Sequence, residues 1–265
     1  MPESHIESLD DPRLDLYRSL KRTNQSRRQD VLIAEGVTVV ERLFQSDFEV
    51  QSVVVTDQKM DAFRRKIPAH VAVYSVSREL ASQLVGYKFH MGVLAAAKRQ
   101  QAVSIQSVLP LSGPSLVFVA DKVIDQQNVG LFIRVAAGFG ADALVLTAGS
   151  ADPYSRRAVR VSTGNNFFLP VVEDVDGAAI TEMKSAGYAL CATVLSEQAR
   201  ELSSFEFPKR TALVFGNETH GISEALLAKC DERLTISMLG GTDSINVAIA
   251  AGIFGYAYRN FHSHD

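Results

Sequence analysis

The chain has 265 residues, of which 46% are apolar, and a formal net charge of −3. Such an apolar share is typical of a globular protein with a substantial core, and the small net charge excludes a protein that coats nucleic acid through bulk electrostatics. No apolar run approaches the roughly 18 residues of a membrane span, and the N-terminus is polar and acidic. We therefore expect neither a membrane span nor a secretory signal, and we expect a cytoplasmic location.

The first hundred residues predict a small α/β unit. Helical spacing runs from Glu35 to Phe44, and Ser77 is placed to cap a helix that reaches Val85. Short strands are predicted at 53–55, 71–74 and 93–97. The composition then turns polar, with the prolines and glycine typical of a linker. We therefore divide the chain into a first domain at 1–98, a linker at 99–114 and a second domain at 115–265.

Beyond the linker, apolar strand-like runs alternate with helical segments. The predicted strands are 116–120, 143–147, 189–194, 212–215 and 234–237. This alternation predicts the α/β class, with a mostly parallel sheet covered on both faces. The glycines at 138–140 match a dinucleotide-binding spacing, but they close a helix and open a strand, so we interpret them as a turn. Because ligands gather at the carboxyl ends of parallel strands, the segments that follow these strands are the candidate site.

The first such segment is Asn128-Val129-Gly130, followed by Arg134. We predict Asn128 as the N-cap of a helix whose apolar stripe begins at Val129, which places Arg134 on the opposite, non-core side. Capping alone is enough to explain Asn128, and an ordinary solvated side chain is enough to explain Arg134. Both alternatives stay open from this segment by itself.

The second segment, Gly216-Asn217-Glu218, ends a strand in a turn. A glycine there lets the backbone approach a ligand closely, and Glu218 can accept a hydrogen bond from a hydroxyl or pair with an arginine. A solvated turn is the alternative. His220, a lone histidine in this turn, is more typical of polar surface than of an acid or base.

The third segment runs from Ile236 to Asn246 as a glycine-containing loop ahead of a helix. Its apolar members Ile236, Met238 and Ile245 are placed to sandwich a flat ring while the backbone hydrogen-bonds the ring edge. Asn246 precedes a helix of small residues, where free backbone N–H groups can hold a ligand. A buried core contact and a subunit interface are the alternatives.

Basic residues cluster locally although the net charge is small. Local clusters favour a polyanion as partner, while a solvated helix face is the alternative for any one of them. Two cysteines and six scattered histidines lack metal-ligand spacing, so we expect reduced thiols and no metal site. The candidate RNA-binding residues are Arg13, Arg18, Lys21, Arg22, Arg27, Arg28, Arg156, Arg157 and Arg160.

Taken together, the three segments resemble the three motifs of the SpoU-type, TrmH-like RNA ribose 2′-O-methyltransferases of the SPOUT superfamily, in order and at similar spacing. The resemblance covers roughly residues 115–260, and residues 152–160 with Leu169-Pro170 resemble the family's linking segment. Leu32-Ile33-Ala34-Glu35-Gly36 more weakly resembles a ribosomal-protein-like RNA-binding domain.

The resemblance implies a trefoil-knotted domain that works as a homodimer, uses S-adenosylmethionine, and methylates a ribose 2′-hydroxyl in structured RNA. We expect ribosomal rather than transfer RNA, because a separate N-terminal domain with a basic cluster is present. It assigns Asn128 and Arg134 to the catalytic motif and gives Glu218 a supporting role, while Ser244 and Asn246 organise the reacting end. Arginine is a poor base because its pKa exceeds about 12, so we expect Arg134 to hold a phosphate or a developing alkoxide. The implied cofactor contacts are Leu195, Gly216, Asn217, Ile236, Met238, Ile245 and Asn246.

Some positions depart from the family pattern. Gln126 and Ser237 stand where proline is usual, and His220 stands in a turn where a smaller residue is common. None of these departures removes a polar catalytic candidate. A non-catalytic RNA-binding or ribosome-assembly protein that retains the fold is the alternative function, and a small-molecule methyltransferase is a third.

Overall fold

The computed structural model describes residues 3–18, 30–239 and 244–263. The chain forms two compact units, one of Met1–Gln101 with Asp152–Phe168 and the other of Ala102–Ala151 with Leu169–Asp265. The segment Asp152–Phe168 therefore belongs to the first unit, a placement that the sequence did not predict. Within the described residues, no helix combines the length and the apolar character that crossing a bilayer requires.

In chain order the described strands are β1 Glu3–Ile6, β2 Val31–Glu35, β3 Val50–Thr56, β4 Ala72–Val76, β5 Val93–Lys98, β6 Ser115–Ala120, β7 Ala143–Thr147, β8 Val171–Asp174, β9 Ala189–Thr193, β10 Arg200–Glu201, β11 Arg210–Phe215 and β12 Glu232–Thr235. The described α-helices are α1 Val37–Phe44, α2 Asp57–Phe63, α3 Arg78–Val85, α4 Ile105–Val108, α5 Gln126–Gly138, α6 Arg156–Val161, α7 Ala178–Ser185, α8 Glu224–Leu227 and α9 Val247–His262. Short 3-10 helices lie at Pro12–Tyr17, Arg64–Lys66, Asn165–Phe167 and Leu202–Ser204.

The first unit contains a five-stranded mixed sheet in the order β1-β4-β3-β5-β2. Strand β5 runs antiparallel to both of its neighbours, whereas the β1–β4 and β4–β3 pairs are parallel. Val53 and Val55 pack into one apolar cluster, while Val54 between them packs into another. Because successive strand residues point to opposite faces, both faces of this sheet are covered.

The structure confirms one of two predicted helix starts in this unit and corrects the other. The helix from Ser77 to Val85 is confirmed, with the Ser77 hydroxyl accepting a hydrogen bond from the amide of Leu80. The helical prediction for Glu35 is wrong, because Glu35 is the last residue of β2 and pairs with β5. Gly36, at φ 96°, turns the chain into α1 with a backbone conformation that favours glycine.

The second unit contains a seven-stranded sheet in the order β10-β12-β9-β11-β6-β7-β8, and every neighbouring pair is parallel. The predicted α/β class with a mostly parallel sheet is confirmed. The predicted turn at 138–140 is also confirmed, since α5 ends at Gly138 and β7 begins at Ala143. The short strands β8 and β10 lie where no strand was predicted.

The strand order changes direction at β6. After β6 the chain builds β7 and β8 on one side, and then returns to place β9, β11 and β12 on the other side. The carboxyl ends of β6 and β11 are therefore adjacent at the point where the order reverses. In open parallel sheets this position is the usual place for a ligand crevice.

Candidate active site

Helix α5 begins one turn earlier than the sequence suggested. Its N-cap is Asp125, whose carboxylate accepts a hydrogen bond from the amide of Gln127 at 2.8 Å. The prediction that Asn128 is the N-cap is therefore wrong. Asn128 instead lies in the first helical turn, with only 7% of its surface exposed, and its side-chain amide is available for contacts outside its own helix.

Asn128 joins the three segments through a hydrogen-bonded chain. Its amide nitrogen donates to Glu218 Oε1 at 2.7 Å, and its amide oxygen accepts from Asn246 Nδ2 at 3.0 Å. Asn246 in turn caps α9, because its oxygen accepts from the amides of Ala248 at 2.9 Å and Ile249 at 3.3 Å. The predicted cap at Asn246 is confirmed.

The direction of each bond in this chain is fixed by its ends. Backbone N–H groups can only donate, so the oxygen of Asn246 must face them and its NH₂ must face Asn128. An ionised Glu218 can only accept, so the NH₂ of Asn128 must face the carboxylate. The hydrogen bonds Glu218–Asn128–Asn246 therefore all run in one direction, from the Glu218 carboxylate to the N-terminus of α9, a helix end that favours negative charge.

Glu218 lies in a tight hairpin that follows β11. Asn217 and Gly221 exchange two backbone hydrogen bonds of 2.9 Å each. A Cβ built on Gly216 would lie 2.1 Å from the carbonyl carbon of Gly221 and 2.2 Å from the amide nitrogen of Ile222. The space beside Gly216 is thus filled by the backbone of the same hairpin, which requires glycine at this position.

Arg134 is not part of this hydrogen-bonded chain. It lies exposed on α5, as its position opposite the apolar stripe predicted, while Val129 and Phe132 are buried. Arg134 makes no hydrogen bond or ion pair with any residue in the described part of the chain. Its guanidinium group is therefore available to a partner outside this set.

The predicted cofactor residues follow three adjacent parallel strands. Gly216 comes directly after β11, Ile236 directly after β12, and Leu195 two residues after β9, which lies between them. Leu195 is 63% exposed, whereas Ile236, Met238 and Ile245 are half-buried. Ser244 is exposed, and the glycine loop at 240–243 lies outside the described residues.

Asn217 is also predicted to contact the cofactor, but its side chain makes hydrogen bonds to nearby backbone groups of the same unit. Its amide nitrogen donates to the carbonyl of Lys122 at 2.8 Å, and its oxygen accepts from the amides of Thr219 and His220 at 2.9 and 3.0 Å. The backbone of Asn217 is held in the hairpin by Gly221. Its side chain therefore shapes the turn that presents Glu218.

The predicted RNA-binding arginines of the N-terminal stretch have acidic neighbours. Arg13 and Arg18 pair with Asp11 and Asp15 at 2.6 and 2.8 Å. The Arg13 guanidinium donates hydrogen bonds to the Asp11 carboxylate, and these bonds lower the pKa of Asp11 to about 2. The remaining predicted members of this cluster, Lys21, Arg22, Arg27 and Arg28, lie outside the described residues.

The arginines of α6 surround a buried acid of the first unit. Glu35 is 2% exposed and pairs with Arg156, while Arg160 Nη1 lies 3.8 Å from its second carboxylate oxygen. Tyr87 donates its hydroxyl to Glu35 at 3.0 Å, and the Arg156 guanidinium lies over the Tyr87 ring. Arg157 on the same helix is exposed. Arg156 and Arg160 therefore have a structural partner besides any RNA.

Sequence reasoning missed Asp121, which directly follows β6 and is only 2% exposed. Its carboxylate accepts hydrogen bonds from Thr147 and Ser223. The available signal was its position: it is an acidic residue placed immediately after the apolar run 116–120, at the edge where ligands gather.

Comparison with known proteins identifies the family. The model of the SpoU rRNA methylase family matches residues 115–256. The chain belongs to this family. The match covers all three segments, so the resemblance drawn from them is confirmed.

Relatives of the SpoU family align along nearly the whole chain. An uncharacterised tRNA/rRNA methyltransferase of Mycobacterium bovis is 35% identical over 256 residues, which are 93% of this chain and 88% of that protein. A 23S rRNA guanosine 2′-O-methyltransferase of Bacillus subtilis is 28% identical over 260 residues, 96% of this chain and 98% of that protein.

Solved structures of methyltransferases share the fold. A SpoU methyltransferase from Streptomyces viridochromogenes superposes with a TM-score of 0.81 at 25% identity, covering 95% of this chain and 98% of that one. An AdoMet-bound rRNA methyltransferase from Sinorhizobium meliloti gives a TM-score of 0.85 at 23% identity over 98% of both chains. The whole chain, including its first unit, is thus similar in fold to these proteins.

Proposed function

We propose that this protein transfers the methyl group of S-adenosylmethionine to a ribose 2′-hydroxyl of ribosomal RNA. The observation that carries the proposal is the hydrogen-bonded chain Glu218–Asn128–Asn246, which joins three segments at the carboxyl edge of a parallel sheet. Membership of the SpoU family and the 23S rRNA 2′-O-methyltransferase from Bacillus subtilis support the same reaction.

The residues at the ends of β9, β11 and β12 fit S-adenosylmethionine. Leu195 and the half-buried Ile236, Met238 and Ile245 offer apolar contacts for a flat adenine ring, and the turn at Gly216 offers backbone groups. When bound, the cofactor supplies a sulfonium-activated methyl group that a hydroxyl oxygen can attack. The chain's own task is then to position that hydroxyl and to assist the loss of its proton.

We assign Arg134 to the RNA. Its exposed guanidinium has the geometry to hold a phosphate through two N–H groups, or to stabilise the negative charge that develops on the ribose oxygen. Asn128 and Glu218 form a fixed polar wall in the same unit, oriented by the bonds described above. Ser244, next to the loop at 240–243, is assigned to the reacting end of the site.

The experiment for this assignment compares two substitutions of Arg134 with a control. We expect Arg134→Ala to abolish methyl transfer to rRNA and Arg134→Lys to restore only a small part, since lysine keeps the charge but loses the planar fork. Lys209→Ala, which removes an exposed cation of the same unit, should leave the rate unchanged. Full activity of Arg134→Ala would overturn the assigned role.

Cofactor binding is tested separately by calorimetric titration with S-adenosylmethionine. We expect binding in the micromolar range that is weakened in Asn246→Ala, because this substitution removes both the cap of α9 and the contact to Asn128. RNA retention without cofactor binding, even in the presence of total RNA, would favour the non-catalytic alternative. Activity that survives ribonuclease treatment would favour a small-molecule substrate.

We extend the proposal to a homodimer assembled through α9. Ile249, Ile253 and Tyr256 are 59%, 39% and 62% exposed and lie at helical spacing on one stripe. Such a stripe is typical of a surface that a partner covers. We expect Ile253→Glu to give a monomer in sedimentation velocity, whereas Ala228→Glu, at the exposed position that follows α8, should not. A dimer that persists in Ile253→Glu would exclude this interface.

The remaining parts of the proposal concern the domains. We propose that the domain at 115–265 carries a trefoil knot, that the domain at 1–98 binds RNA, with 99–114 as linker, and that the enzyme acts in the cytoplasm. The basic residues of 13–28 and of α6 would contact phosphates, and rRNA shape would provide specificity. Arg157→Glu, at an exposed position of α6, should weaken rRNA binding in a filter assay; unchanged binding would exclude α6.

A further inference from the structure

We infer that Asp121 is a positioning residue for methyl transfer, because it holds the hairpin that carries Glu218. The inference rests on the proposed function. Asp121 is 2% exposed, yet both of its carboxylate oxygens are used: Oδ2 accepts from the amide of Ser223 and Oδ1 accepts from the hydroxyl of Thr147, each at 2.7 Å. Neither bond belongs to a helix or a sheet ladder.

The hairpin is held at both of its ends by consecutive residues that follow β6. At its start, Asn217 Nδ2 donates to the carbonyl of Lys122 at 2.8 Å. At its end, Ser223 donates its backbone N–H to Asp121. Glu218 lies between these two points. The pair Asp121-Lys122 therefore forms a clamp across the loop that presents Glu218 to Asn128.

Thr147, the last residue of β7, ties the two halves of the clamp together. Its hydroxyl donates to Asp121 and accepts from the amide of Lys122 at 3.0 Å. Lys122 has φ 53°, a left-handed conformation that a lysine rarely adopts and that persists only when its surroundings fix it. These contacts supply that constraint. Together they link the ends of β7, β6 and β11.

Burying a carboxylate costs free energy of desolvation, and hydrogen bonds to an ionised carboxylate are stronger than hydrogen bonds between neutral groups. A fold that needed only packing at this position would be served by an apolar side chain. One bond ends on the last residue of β7 and the other on the residue that follows the hairpin, which points to a different benefit, namely a fixed position for the hairpin. Because a displacement of about 1 Å in a catalytic group can reduce a rate by about a hundredfold, this rigidity bears directly on catalysis.

The first test compares Asp121→Ala with Asp121→Asn. Asparagine can keep both contacts, since its oxygen can accept from Ser223 and its NH₂ can donate to the second lone pair of the Thr147 oxygen. We expect Asp121→Ala to lower kcat for rRNA methylation about a hundredfold while KM for S-adenosylmethionine stays within about twofold, and Asp121→Asn to recover most of the loss. Equal loss in both variants, or a wild-type kcat in Asp121→Ala, would overturn the inference.

The second test separates positioning from folding. If Asp121 acts through Glu218, then Asp121→Ala should cause no further loss of kcat in a Glu218→Ala background, whereas independent effects would multiply. Multiplicative losses would show that Asp121 does not act through Glu218, and a loss that follows the folded fraction measured by circular dichroism would assign Asp121 to stability alone.

A third readout does not need activity. Hydrogen exchange of the Thr219 and His220 amides, which bond to Asn217, should accelerate at least tenfold in Asp121→Ala relative to wild type, and Asp121→Asn should remain near wild type. Unchanged exchange in Asp121→Ala would refute the clamp. A wild-type protein that never methylates rRNA would overturn the proposed function but leave this exchange result to decide the clamp.

Discussion

Asn128→Asp offers a sharp test of the contact between Asn128 and Glu218. The substitution keeps the size of the side chain but replaces the donor nitrogen, which lies 2.7 Å from Glu218 Oε1, with a carboxylate oxygen. Two ionised carboxylates then face each other at this distance. Asn246 can still donate to the new side chain, so the loss is confined to one bond.

The size of the effect follows from the distance. Coulomb's law at 2.7 Å gives a repulsion of about 1.5 kcal/mol at the dielectric constant of water and about 6 kcal/mol at an effective value of about 20. Asn128 is buried and Glu218 is exposed, so we expect the free energy of unfolding to fall by an intermediate amount, about 2 to 4 kcal/mol at neutral pH.

The pH dependence of this loss of stability identifies charge repulsion as its cause. Repulsion raises the folded-state pKa of the carboxylate pair above its unfolded value, so the folded state binds a proton more tightly than the unfolded state. The destabilisation relative to wild type should therefore be full at neutral pH and shrink as pH falls through the raised pKa. Urea midpoints of both proteins at about pH 7.5 and about pH 5 measure this difference.

A matched double variant reverses the bond. In Asn128→Asp/Glu218→Gln the donor and the acceptor exchange places, and the charge count equals that of wild type. Most of the lost stability should return. If Asn128→Asp is as stable as wild type, or if its deficit is the same at both pH values and the double variant restores nothing, the two side chains do not bond as described.

Three further predictions address other parts of the structure. Gly216→Ala should cost at least about 3 kcal/mol in unfolding free energy or about a hundredfold in kcat, because the new Cβ would overlap backbone at 2.1 Å. Gly138→Ala is the control. No atom lies within 4 Å of the Cβ position at Gly138, so this substitution should be neutral or slightly stabilising in urea titrations. Burial raises the pKa of Cys191 to about 12 and of Cys230 to about 11. Mass spectrometry after treatment with iodoacetamide near neutral pH should therefore find both thiols unmodified. The stability that the buried neutral thiols contribute should be lost only as pH rises past their ordinary pKa of 9.0. Glu35→Gln should lower the unfolding free energy by about 2 to 3 kcal/mol, because it leaves the partly buried guanidinium group of Arg156 without its carboxylate. An unchanged urea midpoint would show that this acid does not anchor α6.

The sequence was sufficient to find the three segments of the site but not the bonds between them. Gly216, Glu218 and Asn246 were located from strand ends and a helix start, patterns that depend on neighbouring residues only. The bond between Asn128 and Asn246 joins residues 118 positions apart, and no local pattern specifies such a pairing. The sequence therefore predicts the motif, and the structure supplies its geometry.

The error at Asn128 has a local cause. Asp125 and Asn128 are both good capping residues and stand three positions apart, so either can begin the helix. The structure begins it at Asp125 and leaves Asn128 to bond Glu218. A buried polar residue in the first turn is thus a sign of a site rather than of a cap.

Two other features lay beyond the sequence for physical reasons. Glu35 was assigned to a helix because the spacing after it is helical, but its burial beside Arg156 depends on a contact 121 residues away. Asp152–Phe168 belongs to the first unit, where Tyr154, Val159 and Phe167 pack into the same apolar cluster as Val53 and Val55. Asp121 is not predicted because a single acid after a strand is common, and its two partners, Thr147 and Ser223, lie 26 and 102 positions away.

The most direct test of the central claim is methyl transfer followed by alkaline hydrolysis of the RNA. Ribosomal RNA lacking the modification is incubated with the protein and S-adenosylmethionine that carries a radioactive methyl group, with Arg134→Ala as the inactive comparison. A methylated 2′-oxygen cannot attack the neighbouring phosphate, so the label should be recovered in alkali-stable dinucleotides with wild type and be absent with the variant. Label recovered in mononucleotides, or none with wild-type protein on any rRNA fraction, would contradict the claim.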